Sequence, residues 1–173
     1  MNYFSAPKQH TDGNVRKTRN LISSIDDEDY LGLLIASRHL PDKEAYSLLT
    51  EALFSPFESA RLMAYSLRSK LEEKIAAKLE DKQNSLKSAQ TKSQKLELHL
   101  SVAREYLHIV DIGIESQDKQ KLVSLAKKHT VTALKLDSKS ASGYRILSRI
   151  LRYEGNLNQA KRAEYKAYSL VAA

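Results

Sequence analysis

The sequence predicts an all-α chain in three parts. Residues 1–25 form a partly disordered N-terminal segment, residues 26–92 form helical hairpins and a long connecting helix, and residues 93–173 form a pair of degenerate helical repeats. Three observations predict this. Only 5 Gly and 3 Pro occur among 173 residues, about 5% where ordinary usage is roughly 12%. Apolar residues recur at helical spacing with no sustained strict alternation. From Pro56 to Gly113 neither Gly nor Pro interrupts the chain. Folds built on many tight turns, such as sandwiches, barrels and glycine-rich nucleotide-binding sheets, are therefore disfavoured.

The elements follow in order. A first helix is expected near Asn14, carrying Val15, Leu21 and Ile22. Asp26, Asp27, Glu28 and Asp29 then place carboxylates at the positive end of a second helix. That helix is expected to bury Leu31, Leu34 and Ile35 and to stop before Leu40-Pro41. Pro41 suits the first turn of a third helix with Ala45, Leu48, Leu49, Ala52 and Leu53 on one face. Ser55-Pro56-Phe57-Glu58 has the composition of a capping box, with Ser55 as cap, Pro56 at N1 and Glu58 reaching back. The long fourth helix carries Leu62, Tyr65 or Ser66, Leu67, Leu71, Ile75 and Leu79. Polar residues between 83 and 92 predict a break there, before a fifth helix from about 93 to 115. Core packing is the preferred reading of the Leu67–Leu71–Ile75–Leu79 spacing, since a coiled-coil seam requires alternating steps of three and four.

Charge and chemistry narrow the function. The formal net charge is +7, but lysines 70, 74, 78 and 82 interleave with Glu72, Glu73, Glu80 and Asp81, as in helix-surface ion pairs. A basic surface that binds nucleic acid is the alternative reading, and a self-associating helical adaptor is another. The absence of Cys removes disulfides, thiolate catalysis and Cys-bound zinc. No apolar run approaches the ~20 residues of a membrane span, and the first twenty residues show no apolar core of a secretory signal. His10, His39, His99, His108 and His129 never form a metal-binding i,i+4 pair around a Glu. His108 and Asp111 share a helix turn, which is usually a structural pairing. Residues 26–29 lack the Gly and terminal Glu of a calcium loop. No catalytic, cofactor-binding or metal-binding residues are identified, and the chain is read as a non-enzyme without cofactors.

The last 70 residues repeat. Ala126, Ala133, Leu134 and Leu136 are echoed by Ala160, Ala167, Tyr168 and Leu170 at an offset of 34, the period of the tetratricopeptide repeat. Tyr144, Leu147, Ser148, Leu151, Gly155, Ala160 and Ala167 fall on the second repeat's pattern positions. Ser148, Glu164 and Ala172 depart from it. The first repeat is looser, with Tyr106, Ile109 and Val110 before a turn at Gln117-Asp118 and one extra helical turn before Ala126. The fold class predicted is thus a tetratricopeptide-like solenoid with an N-terminal helical portion and a long connecting helix.

One constellation points to binding. Arg145, Arg149 and Arg152 stand at i, i+4 and i+7 of one helix, with Tyr153 beside them. In repeat register these line a concave groove, where guanidinium groups capture carboxylates or phosphates of a partner segment. Solvation, or pairing with Asp111, Glu115 or Glu154, is the competing account.

The segment Leu53-Phe54-Ser55-Pro56-Phe57-Glu58-Ser59-Ala60-Arg61-Leu62-Met63-Ala64-Tyr65, a charged helix and two degenerate repeats together resemble the E component of the bacterial Pel exopolysaccharide biosynthesis machinery. The resemblance spans residues 26–171. It implies a non-catalytic scaffold for protein–protein interaction in biofilm polysaccharide export. Its implied partners are the cyclic-di-GMP receptor component, the glycosyltransferase and the transporter-like membrane subunit. It also implies a cytoplasmic position at the inner membrane, through a segment this sequence does not contain or through those partners.

Overall fold

The computed structural model describes residues 26–115 and 117–172. Among these every regular element is helical: α1 (Asp27–Ala36), α2 (Asp42–Ala52), α3 (Glu58–Ser88), α4 (Lys92–Ile112), α5 (Lys119–Leu136), α6 (Ala141–Tyr153) and α7 (Leu157–Val171). The helix expected near Asn14 lies outside the described residues.

Local chemistry sets most of the ends. Asp26 caps α1, its Oδ1 accepting from the Asp29 amide at 2.9 Å, and three further carboxylates follow in the first turn. The expected carboxylate-rich start is present. A 3₁₀ turn, Ser37–His39, closes the helix before Leu40, and the buried Ser37 hydroxyl donates to the Leu34 carbonyl at 2.6 Å. Pro41 stands one residue earlier than expected, at the cap rather than inside the first turn of α2. The break falls at residues 89–91, within the expected window. There Thr91 and Gln94 form a reciprocal capping box that starts α4. Asp118 and Ser140 cap α5 and α6 through their side chains. Gly113 and Gly155 take left-handed φ of 80° and 78° after α4 and α6, a conformation that costs glycine nothing.

Three expectations are corrected. Ser55 does not cap α3: its Oγ accepts from the Phe57 amide at 3.2 Å, Phe57 is extended, and α3 begins at Glu58 without a side-chain cap. Phe57 stays outside the helix because its ring packs on Tyr30 of α1, with centroids 6.4 Å apart. Ile35 is exposed, and Tyr30 joins Leu34 in the core instead. Leu62 and Tyr65 are also exposed. Ala60, Ala64 and Leu67 make the inner stripe of α3, because small side chains let α1 and α2 approach the axis closely. Ser59 donates to the Asp27 carboxylate at 2.5 and 2.7 Å, tying α3 to α1.

Helix α4 is the hub, in contact with α2, α3, α5 and α6. Between Leu100 and Ile112 only Arg104 is exposed, so this helix is enclosed on nearly every side. Its polar groups find partners on the surrounding helices. Glu105 pairs with Lys82 and Lys78 of α3, the latter at 3.3 Å, while its Oε2 has no partner. Burial alone raises the Glu105 pKa, but the two lysines hold it below the ordinary carboxylate value. Gln83 of α3 donates to the Tyr106 hydroxyl at 2.7 Å. The pairing of His108 with Asp111 that their spacing allows is not made. The His108 Nε2 lies 3.0 Å from Asp42 of α2. Between α4 and α5 the Nδ1 atoms of His99 and His129 are 2.9 Å apart, so one ring donates and the other accepts.

The α4–α5 and α6–α7 helix pairs pack together through α5–α6 and α4–α6 contacts. In α6, Ser148 and Leu151 are buried and Tyr144 and Leu147 are half-buried; in α7, Ala160, Ala163 and Ala167 face inward. Gly143 lies where α6 crosses α5: a Cβ there would sit 2.7 Å from Leu134 Cδ2. Gly143→Leu is expected to cost about 1–3 kcal/mol through overpacking, seen as a lower urea midpoint.

Burial lowers the pKa of both His99 and His129, and the charges of His99 and Lys128 add to this at His129. Because the folded values lie below the unfolded one, their stabilisation is complete above about pH 6.5. It is lost as pH falls from there through the folded values. His129→Gln is expected to flatten the decline in urea midpoint between pH 7.5 and pH 5.

Candidate functional site

Helix α6 starts at the Ser140 cap, whose Oγ accepts from the Gly143 amide at 3.1 Å, and ends at Gly155. Its buried side is Ile146, Ile150 and Leu151, so the helical period turns Arg145, Arg149 and Arg152 outward. Tyr153 is half-buried at the C-terminal end.

The four residues share a helix but meet different partners. Arg149 Nη2 donates to Asp111 Oδ2 at 2.6 Å, and the Tyr153 hydroxyl donates to the other oxygen of the same carboxylate. Asp111, near the end of α4, is therefore clasped by two donors of α6. Burial raises the Tyr153 pKa, and the hydrogen bond and charge of Asp111 raise it further, against an opposing effect of Arg149. Lys119, in the first turn of α5, lies over the Tyr153 ring with Nζ 5.2 Å from its centroid. Arg152 turns the other way and pairs with Glu164 of α7 at 2.5 Å. Arg145 has no acidic partner within 4 Å among the described residues. Of the three pairings weighed from sequence, only Asp111 meets an arginine of this face. Glu154 instead receives Lys127 of α5 at 2.8 Å.

Beside this cluster is a groove of ≈ 520 Å³ lined by Lys119, Gln120, Val123, Ser124, Tyr153 and Glu154. A larger groove, ≈ 740 Å³, runs between α3 and α5 over α4, with Ile75, Leu79, Tyr106, Ile109, Leu122 and Leu125 among its walls. Neither groove was legible from sequence, because each is walled by side chains of different helices whose packing no local signal records. The same holds for Lys119 over Tyr153. Glu164 had a signal, an acidic residue where the repeat pattern places an aromatic one.

Among the described residues no three His, Asp or Glu side chains are grouped to hold a metal ion. No described helix is long and apolar enough to cross a membrane. No protein-family model matches the chain, and no curated protein or solved structure matches it.

The Arg149–Asp111 pair is about one-third to one-half exposed, so water screens much of its attraction. Asp111→Asn keeps an acceptor for Tyr153 and is expected to cost no more than about 1 kcal/mol in chemical denaturation.

Proposed function

We propose that this protein is a non-catalytic scaffold whose α6 face binds an acidic or carboxylate-bearing segment of a partner protein. The observation that carries this reading is the clasp on Asp111. Arg149 and Tyr153 already hold one carboxylate by both oxygens, while Arg145, one turn earlier, has no acidic partner among the described residues. A partner carboxylate extends this arrangement by taking Arg145 and competing for the exposed side of Arg149. Arg152 supports the face from beside, through Glu164.

In this reading α4–α5 and α6–α7 are two degenerate tetratricopeptide units. The 34-residue offset, the left-handed glycines after α4 and α6, and the contacts of α6 with both α4 and α5 favour it. The resemblance of the Ser-Pro-Phe-Glu segment and the repeats to the Pel E component extends the proposal to a scaffold at the inner membrane. There it would join the cyclic-di-GMP receptor component, the glycosyltransferase and the transporter-like subunit.

Charge reversal tests both levels. Arg145→Glu with Arg149→Glu is expected to abolish co-purification with those partners while the circular dichroism spectrum is unchanged. Undiminished co-purification removes the α6 face from the reading. If the native chain captures none of the three components when co-expressed with them, the Pel assignment is wrong.

A further inference from the structure

We propose that the outer face of α7 seats an acidic amphipathic helix of a partner protein, laid on α7 as α6 is laid on α5. This goes beyond the arginine-face reading and does not depend on it.

Leu157, Lys161, Tyr165, Tyr168 and Val171 stand at i, i+4, i+8, i+11 and i+14, one continuous stripe. The inner side of α7 is made by Ala160, Ala163 and Ala167 against α6. Among the described residues the outer stripe has nothing over it: Leu157 is 61% exposed, Tyr165 77%, Tyr168 61% and Val171 64%. Four large apolar side chains on one helix face form a patch of the kind that marks an interaction surface.

The chain itself shows what covers such a face. The residues 34 positions earlier are Val123, Lys127, Val131 and Leu134 of α5, of which Val131 remains 38% exposed while the other three meet α6. Val123 is 6% exposed and lines a groove with Tyr153 and Glu154 of α6. Leu134 lies against Gly143 of α6 so closely that no Cβ fits without a shift. Lys127 gives its ammonium to both oxygens of Glu154, at 2.9 and 2.8 Å. The helix seated on α5 therefore presents a small residue at the close crossing, branched apolar residues at Ile146 and Ile150, and a carboxylate at its end for the lysine.

On α7 the corresponding residues are Leu157, Lys161, Tyr165 and Tyr168, all bare. An occupant with the same three features fits them, with its carboxylate on Lys161. Charge selects its sign. Lys161, Arg162 and Lys166 make α7 basic, and its one acidic residue, Glu164, lies within the stripe and is taken by Arg152. A second copy placing its own α7 here brings a second basic helix, whereas an acidic helix is attracted.

The probe is a fluorescein-labelled peptide of residues 141–155 carrying Arg145→Glu, Arg149→Glu and Arg152→Glu, which keeps Gly143, Ile146, Ile150 and Glu154. Fluorescence anisotropy with the full chain is expected to show saturable binding. Tyr168→Glu and Lys161→Glu should each weaken it at least tenfold with unchanged circular dichroism. Tyr165→Glu serves in the same way if Tyr168→Glu unfolds the chain. Absent binding, or binding indifferent to these substitutions, overturns the proposal. So does adsorption to phosphatidylglycerol vesicles, or a dimer in light scattering, that Tyr168→Glu abolishes, because the stripe then serves a membrane or a second copy.

Discussion

The burial of α4 is the constraint on which the rest of the structure depends. Of its paired polar side chains Glu105 and Tyr106 are buried, where an unpaired group costs about 1–3 kcal/mol, and His99, His108 and Asp111 are half-buried. Glu105 and Tyr106 are answered by α3, His108 by α2, His99 by α5 and Asp111 by α6. Each surrounding helix is thus tied to the hub by a polar bond besides its apolar contacts. The apolar contacts supply cohesion without direction. The polar bonds have fixed partners and fix how each helix is turned about its axis.

That arrangement also explains why the α6 face has the chemistry it has. Asp111 comes from the end of the hub helix, and its carboxylate draws Arg149 and Tyr153 into one clasp. The arginine side chains that follow one helical face in sequence are thereby divided: Arg149 toward α4, Arg152 toward α7, and Arg145 without an acidic partner among the described residues. The proposed binding of a partner carboxylate needs donors held at known positions before the ligand arrives. Here internal carboxylates hold two of the three.

Much of the architecture was legible because helix signals are local. The carboxylates before Tyr30, the polar stretch between 83 and 92 and the glycines at 113 and 155 each act within a few residues of themselves. The departures arose where a distant partner intervened. Phe57 looked like part of a capping box until Tyr30 was beside it. Leu62 and Tyr65 looked like core until alanines at 60 and 64 took the inner side. His108 and Asp111 share a turn, yet each finds its partner on another helix. Arg145, Arg149, Arg152 and Tyr153 were identifiable as a surface cluster, but their division among Asp111 and Glu164 was not.

The sequence by itself determined that the described chain is helical, where most of its helices begin and end, and that its chemistry contains no cysteine thiolate. These follow from backbone conformational preference and composition, which a residue carries wherever it lies. The tertiary structure alone decided which faces are covered. α5 and α7 present related stripes 34 residues apart, yet α6 covers Val123 and packs on Leu134 in one, while the other is exposed among the described residues. Burial is a property of neighbours, and neighbours brought in on other helices leave no local trace in the residues that receive them.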